Sequence, residues 1–313
     1  MFKVVLGSMT FAREVAEAEA GRILEVYLAS GGKEIDTAHG YGGGKTEEML
    51  GRLLKAYDPA DFQIATKANH VQEGGLSPEG LRRQLSNSLE RLGLDRIHLL
   101  YFHQPDPEVP IENSLETCAQ LHDEGRFEEF GLSNFAAWQV ADIWHICRRE
   151  GWIAPTVYQG MYNALTREVE PELFPCLRAL GLRFYAYNPL AGGILTGRYR
   201  SLDTEPVKGR FVVQPNYRDR YWKASHFQGL DSVRESCDNA GISMISAALR
   251  WMFHHSAMDS TKGDAPILGT SKVSQMEENL RICGEPELLE EVVEKLQEAW
   301  QAAKPESAKY HRP

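Results

Sequence analysis

The stretch FQIATKANHVQEGGLSPEGLRRQLSNSLERLGLDRIHLLYFH (residues 62–103) contains one complete strand–helix–strand unit. Its two end runs, FQIATK and RIHLLYFH, are short, apolar and rich in Ile, Phe and Tyr, which is typical of strands. Between them, LRRQLSNSLERLG repeats Leu every three or four residues and closes with Gly, which is typical of an amphipathic helix and its C-terminal cap. The stretch therefore predicts two parallel strands joined by a helix.

The same alternation continues along the whole chain. Six further runs resemble strands: VVLG (4–7), EID (34–36), EFGLSN (129–134), TVYQ (156–159), LRFYAYNPL (182–190) and APILG (265–269). Helical patterns such as VAEAEAGRILEVYLASG and LETCAQLHDEG separate them, and strand ends recur about every 25 to 36 residues, the length of one strand, one helix and two loops. Eight such units predict an α/β protein with a (β/α)8 TIM barrel, formed by residues 1–313 as a single domain.

One interval breaks this rhythm. The distance from Tyr187 to Gly269 is more than twice the usual spacing, and residues 191–225 are rich in Gly, Arg and aromatic residues without clear periodicity. These features predict a long loop after the seventh strand, which either contributes to function, as loops on that face of a barrel do, or is a plain surface insertion. Beyond the eighth run, SQMEENLRIC and LLEEVVEKLQEAWQAA predict two extra C-terminal helices. The polar tail ESAKYHRP either frays or folds over the open end of the barrel.

Composition excludes several classes of protein. A net charge of −10 and a pI near 5.5 disfavour nucleic acids and anionic membranes as partners, because binding them requires clustered Lys and Arg. The five cysteines are widely spaced and include no CxxC pair, so neither a disulfide framework nor a zinc site is indicated. The N-terminal residues lack the features of a signal peptide, and no apolar stretch approaches the roughly 20 residues that span a bilayer. A cytoplasmic protein with reduced thiols is expected.

Four polar residues stand where successive strands end. Asp36 and Tyr41 lie in EIDTAHGYGGG, Lys67 closes FQIATK, and His103 closes RIHLLYFH. A carboxylate, a phenol, an ammonium and an imidazole together suit the protonation of an oxygen on a carbon that receives hydride. Tyr41 is the candidate acid. Because a free phenol has a pKa near ~10, a cation such as Lys67 is needed to favour the phenolate. Asp36 would keep Lys67 charged, and His103 would orient the carbonyl or share the proton.

Two other chemistries are open at the same residues. His39 and His70 lie within three residues of the set and could form a metal site with Asp36, although no HExxH-type ligand pair is present and the tyrosine and lysine would then be unused. Alternatively, Lys67 could form a Schiff base, as in a barrel isomerase or aldolase. That reaction predicts an adduct on Lys67 that borohydride traps without any nicotinamide.

At these residues the chain resembles the aldo-keto reductase superfamily, over nearly its whole length. DTAHGYGGGKTEEMLG is similar to the first family signature, ATK contains the family lysine, and YFHQPD and GLSNF resemble later strand-end motifs. PTVYQGMYNALTR, ELFPCLRALGLRFYAYNPLAGGILTGRY and ALRWMFHHS are most similar to the branch of aflatoxin aldehyde and succinic semialdehyde reductases. The resemblance implies a (β/α)8 barrel that reduces aldehydes and dicarbonyls to alcohols, with the four polar residues in the roles given above. It also implies NADPH bound without a Rossmann motif, and no GxGxxG follows any predicted strand.

The resemblance further implies a set of cofactor contacts. Amide and hydroxyl groups would bind the nicotinamide carboxamide, a tyrosine would stack on its ring, glycines would let the backbone approach the pyrophosphate, and basic and polar groups would bind the adenosine and its 2′-phosphate. These residues are Ser133, Asn134, Gln159, Tyr187, Asn188, Leu190, Gly192, Gly193, Gly197, Arg198, Arg210, Gly269, Ser271, Lys272, Gln275 and Asn279. Many family members have arginine where Gln275 stands, so a preference for NADPH over NADH would depend on Lys272 and Arg210.

The substrate pocket implied by the resemblance contains His103, Tyr217, Arg220 and Arg312. Either arginine would favour substrates with a carboxylate if it reaches the pocket, and would otherwise be a solvated surface residue. The resembled branch tends to form dimers, so a homodimer is expected. The superfamily also includes potassium-channel β subunits, which bind cofactor and turn over slowly, and a nucleotide-binding regulatory subunit is therefore the alternative function. The similarity over residues 155–200 to soluble reductases favours an enzyme.

Overall fold

The computed structural model describes residues 3–204, 206 and 209–312. Eight parallel strands form a closed barrel in which each strand pairs with the next along the chain and the last pairs with the first. They are β1 (Val5–Gly7), β2 (Glu34–Asp36), β3 (Gln63–Ala68), β4 (Ile97–Phe102), β5 (Phe127–Ser133), β6 (Val157–Met161), β7 (Arg183–Tyr187) and β8 (Ala265–Gly269). The predicted (β/α)8 barrel is confirmed.

Helices connect the strands and surround the barrel. The first six connections contain α1 (Glu17–Ala29), α2 (Lys45–Leu54), α3 (Pro78–Leu92), α4 (Ile111–Asp123), α5 (Ala137–Glu150) and α6 (Leu173–Leu180). The seventh contains α7 (Arg210–Val213), α8 (Pro215–Tyr221), α9 (Ala224–Phe227), α10 (Leu230–Asn239) and α11 (Met244–His254), and β8 is followed by α12 (Val273–Ile282) and α13 (Glu290–Ala303). The two predicted C-terminal helices are thus present. Within the described residues, every helix is too short or too polar to cross a membrane.

The connection between β7 and β8 is more regular than its sequence indicates. The prediction of a loop over residues 191–225 is wrong in part, because this segment contains a 3-10 helix (Ala191–Thr196) and the short helices α7, α8 and α9. None of these three helices exceeds 7 residues, which is too short for helical periodicity to be recognised. The rings of Tyr199, Phe211 and Trp222 pack edge to face, with centroids 4.9, 5.0 and 5.4 Å apart. The aromatic residues of the segment therefore pack on one another and are part of the main hydrophobic core, in which Tyr199 and Phe211 are buried.

The barrel interior positions the polar groups. Side chains alternate between the two faces of a strand, so every second residue points into the barrel. The inward residues form a separate apolar core that consists of Val5, Ala65, Leu99, Tyr101, Val157, Tyr185, Ala265 and Ile267. Lys67 comes two positions after Ala65, and His103 comes two positions after Tyr101. The alternation that fills the barrel with apolar side chains thus brings polar side chains to its carboxyl end.

Candidate active site

A cavity of about 410 Å³ lies at the carboxyl end of the barrel. Active sites of (β/α)8 enzymes occupy this end, and the volume is in the range of ordinary ligand sites. The residues proposed from the sequence that line the cavity are Asp36, Tyr41, His103, Ser133, Asn134, Gln159, Tyr187, Asn188, Leu190, Gly192, Gly193, Arg198, Arg210, Tyr217, Arg220, Gly269, Ser271, Gln275, Asn279 and Arg312. Lys67, Gly197 and Lys272 are outside this lining; Lys67 is completely buried beneath it, and Lys272 is exposed at the start of α12.

Lys67 joins the strand-end residues into one cluster. Its ammonium donates a hydrogen bond of 2.6 Å to Asp36 Oδ1 and another of 2.6 Å to the carbonyl of Thr37, and it lies 3.5 Å from Tyr41 Oη. Both members of the Lys67–Asp36 ion pair are buried. A buried charge requires such partners, since burial of an isolated ion is costly. The phenol of Tyr41 therefore faces the cavity with a buried cation behind it.

His103 lies beside Tyr41 on the cavity wall. The two rings meet edge to face with centroids 6.0 Å apart. Asn69, two residues beyond Lys67 in the chain, places its side-chain nitrogen 3.3 Å from His103 Nδ1, and Gln104 donates to Asn69 Oδ1 at 3.2 Å. Sequence reasoning missed Asn69, although its position just after β3 is the same signal that identified Lys67. It fixes the orientation of the imidazole.

Burial controls the protonation states of these groups. Burial raises the pKa of Tyr41 well above its ordinary value of 10, with further increases from Asp36 and Tyr217 and an opposing effect of Arg210. Burial of the phenol thus opposes the acidification expected from a neighbouring cation, an effect that the sequence does not reveal. Burial lowers the pKa of Lys67, against the opposing effect of Asp36. Burial, together with the charges of Lys67 and Arg312, lowers the pKa of His103 to about 3.

These directions predict the pH dependence of turnover. Tyr41 keeps its proton at neutral pH, and His103 stays neutral until the pH falls to about 3. No acid limb is therefore expected in kcat at saturating substrate between about pH 5 and 8, and kcat should decline as the pH rises and Lys67, whose pKa burial lowers, loses its charge. A pH profile of kcat checks this. An acid limb with a midpoint near 6.5 that disappears in His103→Gln would contradict it.

A ledge of amide groups continues from His103 toward β7. Asn134 has a positive φ of 64° and donates its side-chain N–H groups to the carbonyl of His103 at 2.8 Å and to Ser133 Oγ at 3.0 Å. Its side-chain oxygen accepts a hydrogen bond of 2.9 Å from Tyr187 Oη. Gln159 donates to Asp36 Oδ2 at 2.7 Å, a bond that the sequence does not reveal. Gln159 thus supports the ion pair as well as lining the cavity.

The second half of the cavity is formed by a strained backbone segment. Asn188 and Ala191 have positive φ angles of 60° and 49°, and Gly192 and Gly193 have 68° and 113°. A Cβ at Gly192 would lie 2.9 Å from Cδ1 of Tyr217, so a larger residue does not fit there. Positive φ values in non-glycine residues are uncommon and concentrate at ligand sites. The segment brings its backbone to the cavity surface.

Four arginines face this cavity. Arg198, Arg210, Arg220 and Arg312 all line it, and within the described residues none of them forms an ion pair with a carboxylate. Arg210 and Arg220 lie over the ring of Tyr217, at 5.1 and 5.4 Å from its centroid. These four guanidinium groups outnumber the carboxylates of Glu14 and Glu278 in the same lining, so the cavity has a local basic surface suited to anions in a chain of net charge −10.

The C-terminal tail folds over the barrel end. Tyr310 is buried and donates to Glu172 Oε2 at 2.6 Å, while the N–H of Ala137 donates to Tyr310 Oη at 3.1 Å. The N–H of Arg312 donates to the carbonyl of Asn134 at 2.8 Å. Of the two arrangements that the sequence leaves open for the tail, the structure has the folded one, and this arrangement brings Arg312 to the cavity.

The histidines considered for a metal site are engaged elsewhere. His39 Nδ1 lies 3.3 Å from both Ser88 Oγ and Arg91 Nη1, and His70 Nδ1 lies 3.1 Å from the side-chain nitrogen of Gln104. In the part of the chain that the structure describes, no group of three or more His, Cys, Asp or Glu residues is arranged to hold a metal ion.

A (β/α)8 barrel with a polar cavity and a buried Lys–Asp pair behind a tyrosine defines an enzyme of the barrel class with a proton-transfer site. The model of the Aldo/keto reductase family matches residues 3–301. The chain is 46% identical over 319 residues to aflatoxin B1 aldehyde reductase member 2 of Rattus norvegicus, which covers 98% of this chain and 87% of that protein. It is 47% identical over 320 residues to aldo-keto reductase family 7 member A3 of Homo sapiens, covering 98% and 96%. The chain therefore belongs to the aldo/keto reductase family, and the resemblance recognised in the sequence is confirmed.

Membership of this family makes the protein an oxidoreductase that acts on small-molecule carbonyl compounds and uses a nicotinamide cofactor. Aflatoxin B1 aldehyde reductase member 4 of Homo sapiens is a further relative, 47% identical over 307 residues that cover 95% of this chain and 93% of that protein. The relatives named aflatoxin B1 aldehyde reductases correspond to the aflatoxin aldehyde reductase branch that the sequence motifs resemble.

Proposed function

We propose that the protein catalyses the NADPH-dependent reduction of aldehydes and dicarbonyls to alcohols, with Tyr41 as the proton donor. One observation supports this most directly: the phenol of Tyr41 lines the cavity while the buried ammonium of Lys67 lies 3.5 Å behind it. The relatives named as aflatoxin B1 aldehyde reductases support an aldehyde as substrate. No comparable observation favours a regulatory subunit.

Each residue of the cluster around Tyr41 has a separate role in the proposed reaction. Tyr41, kept protonated by burial, donates a hydrogen bond to the carbonyl oxygen and then transfers its proton as negative charge develops there. Lys67 stabilises the resulting phenolate, and Asp36 with Gln159 keeps Lys67 charged and in place. His103 is neutral, so it orients the carbonyl with an imidazole N–H.

The cavity has the features that a phosphorylated dinucleotide requires. Arg198 and Arg210 face it without carboxylate partners among the described residues, and Gly192 and Gly193, which have no side chains, let the backbone approach a ligand there. Asn279 is buried, lines the cavity and has no hydrogen bond from its side chain to the described residues. Together with the amide ledge at Ser133, Asn134 and Gln159 and the ring of Tyr187, these groups would hold NADPH. When bound, the cofactor supplies the hydride that reduces the carbonyl carbon.

Arg220 and Arg312 support a preference for substrates with a carboxylate. Both line the cavity together with Tyr217 and His103, and Arg312 is held there by the folded tail. A guanidinium binds a carboxylate through two parallel hydrogen bonds, which gives both affinity and orientation. We therefore expect aldehydes such as succinic semialdehyde and 2-carboxybenzaldehyde to be reduced more efficiently than neutral ones.

A panel of carbonyl compounds tests the proposal. Succinic semialdehyde, 2-carboxybenzaldehyde, phenanthrenequinone and methylglyoxal are each incubated with purified protein and NADPH, and cofactor absorbance is followed. We expect turnover of several compounds, with the highest kcat/KM for the two acids. Tight NADPH binding without turnover of any compound would instead support the regulatory alternative.

The exposed Lys272 allows a test of cofactor preference. If its ammonium binds the 2′-phosphate, Lys272→Glu should raise the Kd of NADPH by roughly tenfold or more, because an attraction becomes a repulsion, and should leave NADH almost unchanged. Fluorescence titration with both cofactors measures the difference. Lys262→Glu, the same charge change at an exposed lysine in the turn before β8, is the control. Equal weakening of NADPH and NADH would exclude Lys272 from recognition of the phosphate.

We also propose that residues 1–313 act as a single domain, that the protein forms a homodimer and that it is located in the cytoplasm. All five cysteines are free, which suits a reducing compartment. Light scattering of the purified protein measures its oligomeric state.

A further inference from the structure

The turn that carries Tyr41 has little rigidity of its own. It reads GYGGG at residues 40–44, and Gly42, Gly43 and Gly44 have successive positive φ angles of 60°, 66° and 93°. Glycine loses more conformational freedom on folding than any other residue, so such a turn requires fixing from outside. The residues before Tyr41 are attached to β3, since Thr37 and His39 donate their backbone N–H groups to the carbonyls of Ala65 and Lys67. After Tyr41 the backbone makes no such bond to β3, and the attachment is through side chains: Thr46 donates its hydroxyl to the carbonyl of Phe11 at 2.9 Å, and Glu47 contacts Arg91 and Thr66.

Arg91 supplies a contact on both sides of the turn. Its Nη1 donates to the carbonyl of His39 at 3.2 Å, two residues before Tyr41, and to Glu47 Oε2 at 3.2 Å, six residues after it. A Cβ at Gly44 would lie 2.5 Å from the guanidinium carbon of Arg91, so the guanidinium lies directly against the turn. One side chain from α3 thus holds both ends of the segment that contains the proton donor.

Glu47 connects this contact to the strand of Lys67. The carboxylate is completely buried on α2, and its second oxygen accepts a hydrogen bond of 2.7 Å from Thr66, the residue before Lys67 on β3. Both carboxylate oxygens are therefore used, one toward the turn and one toward the lysine strand. Burying a carboxylate costs desolvation free energy, and the contacts with Arg91 and Thr66 offset that cost. Its charge also raises the pKa of Lys67 against the effect of burial.

We propose that Arg91 and Glu47 form a positioning pair that sets the distance between Tyr41 and Lys67, in the reaction proposed above. Neither residue lines the cavity, so neither touches substrate or cofactor directly. The pair acts because Glu47 is fixed to Thr66 while Arg91 is fixed to the Tyr41 turn. Loss of either member releases the turn, and a displacement of about 1 Å at a reacting group can cost 100-fold in rate.

The test compares Arg91→Gln and Glu47→Gln with Arg82→Gln. Arg82 lies on the same helix, and its ion pair with Glu124 is on the surface, so its loss should leave kcat within about twofold. For the two variants of the pair we expect kcat to fall roughly 10- to 100-fold, with little change in the Kd of NADPH. The solvent deuterium isotope effect on kcat should rise, because proton transfer from a displaced Tyr41 becomes slower. The double variant should be no worse than either single one.

A purely structural role gives a different result. A variant that only reduces the folded fraction lowers the apparent kcat without changing the isotope effect. That outcome would overturn the inference, and so would a kcat in Arg91→Gln equal to that of the wild-type protein. If these variants do not fold, Thr66→Val removes only one hydrogen bond to Glu47, and we expect a smaller fall in kcat with the same increase in isotope effect. An unchanged isotope effect in folded Thr66→Val would also overturn it. If the wild-type protein reduces no carbonyl compound, the proposed function itself is contradicted. If the wild-type protein is active and the Arg91 and Glu47 variants are equally active, only the positioning role is contradicted.

Discussion

Tyr41→Phe should bind NADPH normally and reduce aldehydes 10²- to 10⁴-fold more slowly than the wild-type protein, the range expected for loss of a general acid. The substitution removes one oxygen atom from a ring that otherwise keeps its contacts with His103 and with the ammonium of Lys67, which lies 5.0 Å from the ring centroid. The loss should therefore appear in kcat and leave cofactor affinity unchanged. Steady-state kinetics with 2-carboxybenzaldehyde and a fluorescence titration with NADPH measure the two quantities.

A suitable control for this variant is Tyr57→Phe. Tyr57 lies after α2, outside the cavity lining, and the loss of its hydroxyl should not affect turnover. Near-normal kcat in Tyr41→Phe would remove Tyr41 from the mechanism. Equal loss of kcat and of cofactor binding would indicate that the phenol holds the cofactor instead.

Lys67→Met should abolish measurable turnover and also destabilise the protein. Without the ammonium of Lys67, the buried Asp36 carboxylate keeps only one of its present hydrogen-bond donors, the side-chain amide of Gln159. Removing one member of a buried ion pair typically costs about 3–5 kcal/mol in the free energy of unfolding, because a buried charge is left unpaired. Denaturant unfolding and NADPH-linked kinetics measure both effects.

The double variant Lys67→Met/Asp36→Asn separates stability from catalysis. Neutralising both partners removes the uncompensated charge, so the free energy of unfolding should recover by about 2 kcal/mol or more relative to Lys67→Met, while activity stays lost. Recovery of activity along with stability would contradict a catalytic role for Lys67. A double variant no more stable than Lys67→Met would contradict the view that the lysine compensates the charge of Asp36.

Much of the fold follows from local patterns in the sequence. Apolar runs that alternate with helical periodicity specify a barrel, and parallel strands all end at the same face. Strand-end residues such as Asp36, Lys67 and His103 could therefore be placed together without coordinates. The short helices between Ala191 and Phe227 could not be predicted, because each has 7 residues or fewer, too few for helical periodicity to be recognised.

The connections within the site depend on packing between distant segments. Gln159 and Asp36 are 123 residues apart in sequence, and nothing in either local motif indicates their hydrogen bond. The position of Arg312 depends on the docking of Tyr310 against Glu172, 138 residues away. Burial raises the pKa of Tyr41, and the burial of a side chain is known only from the folded chain. Residue identities therefore indicated the chemistry, while protonation states required the structure.

A crystal structure of the protein with NADP⁺ tests the central claim most directly, namely that Tyr41 faces the reactive carbon of a bound nicotinamide. We expect the nicotinamide ring against Tyr187, its carboxamide bonded to Ser133, Asn134 or Gln159, and its reactive carbon at a distance from Tyr41 Oη that leaves room for one carbonyl group. A nucleotide bound away from this cavity, or a ring separated from Tyr41 by the barrel wall, would contradict it.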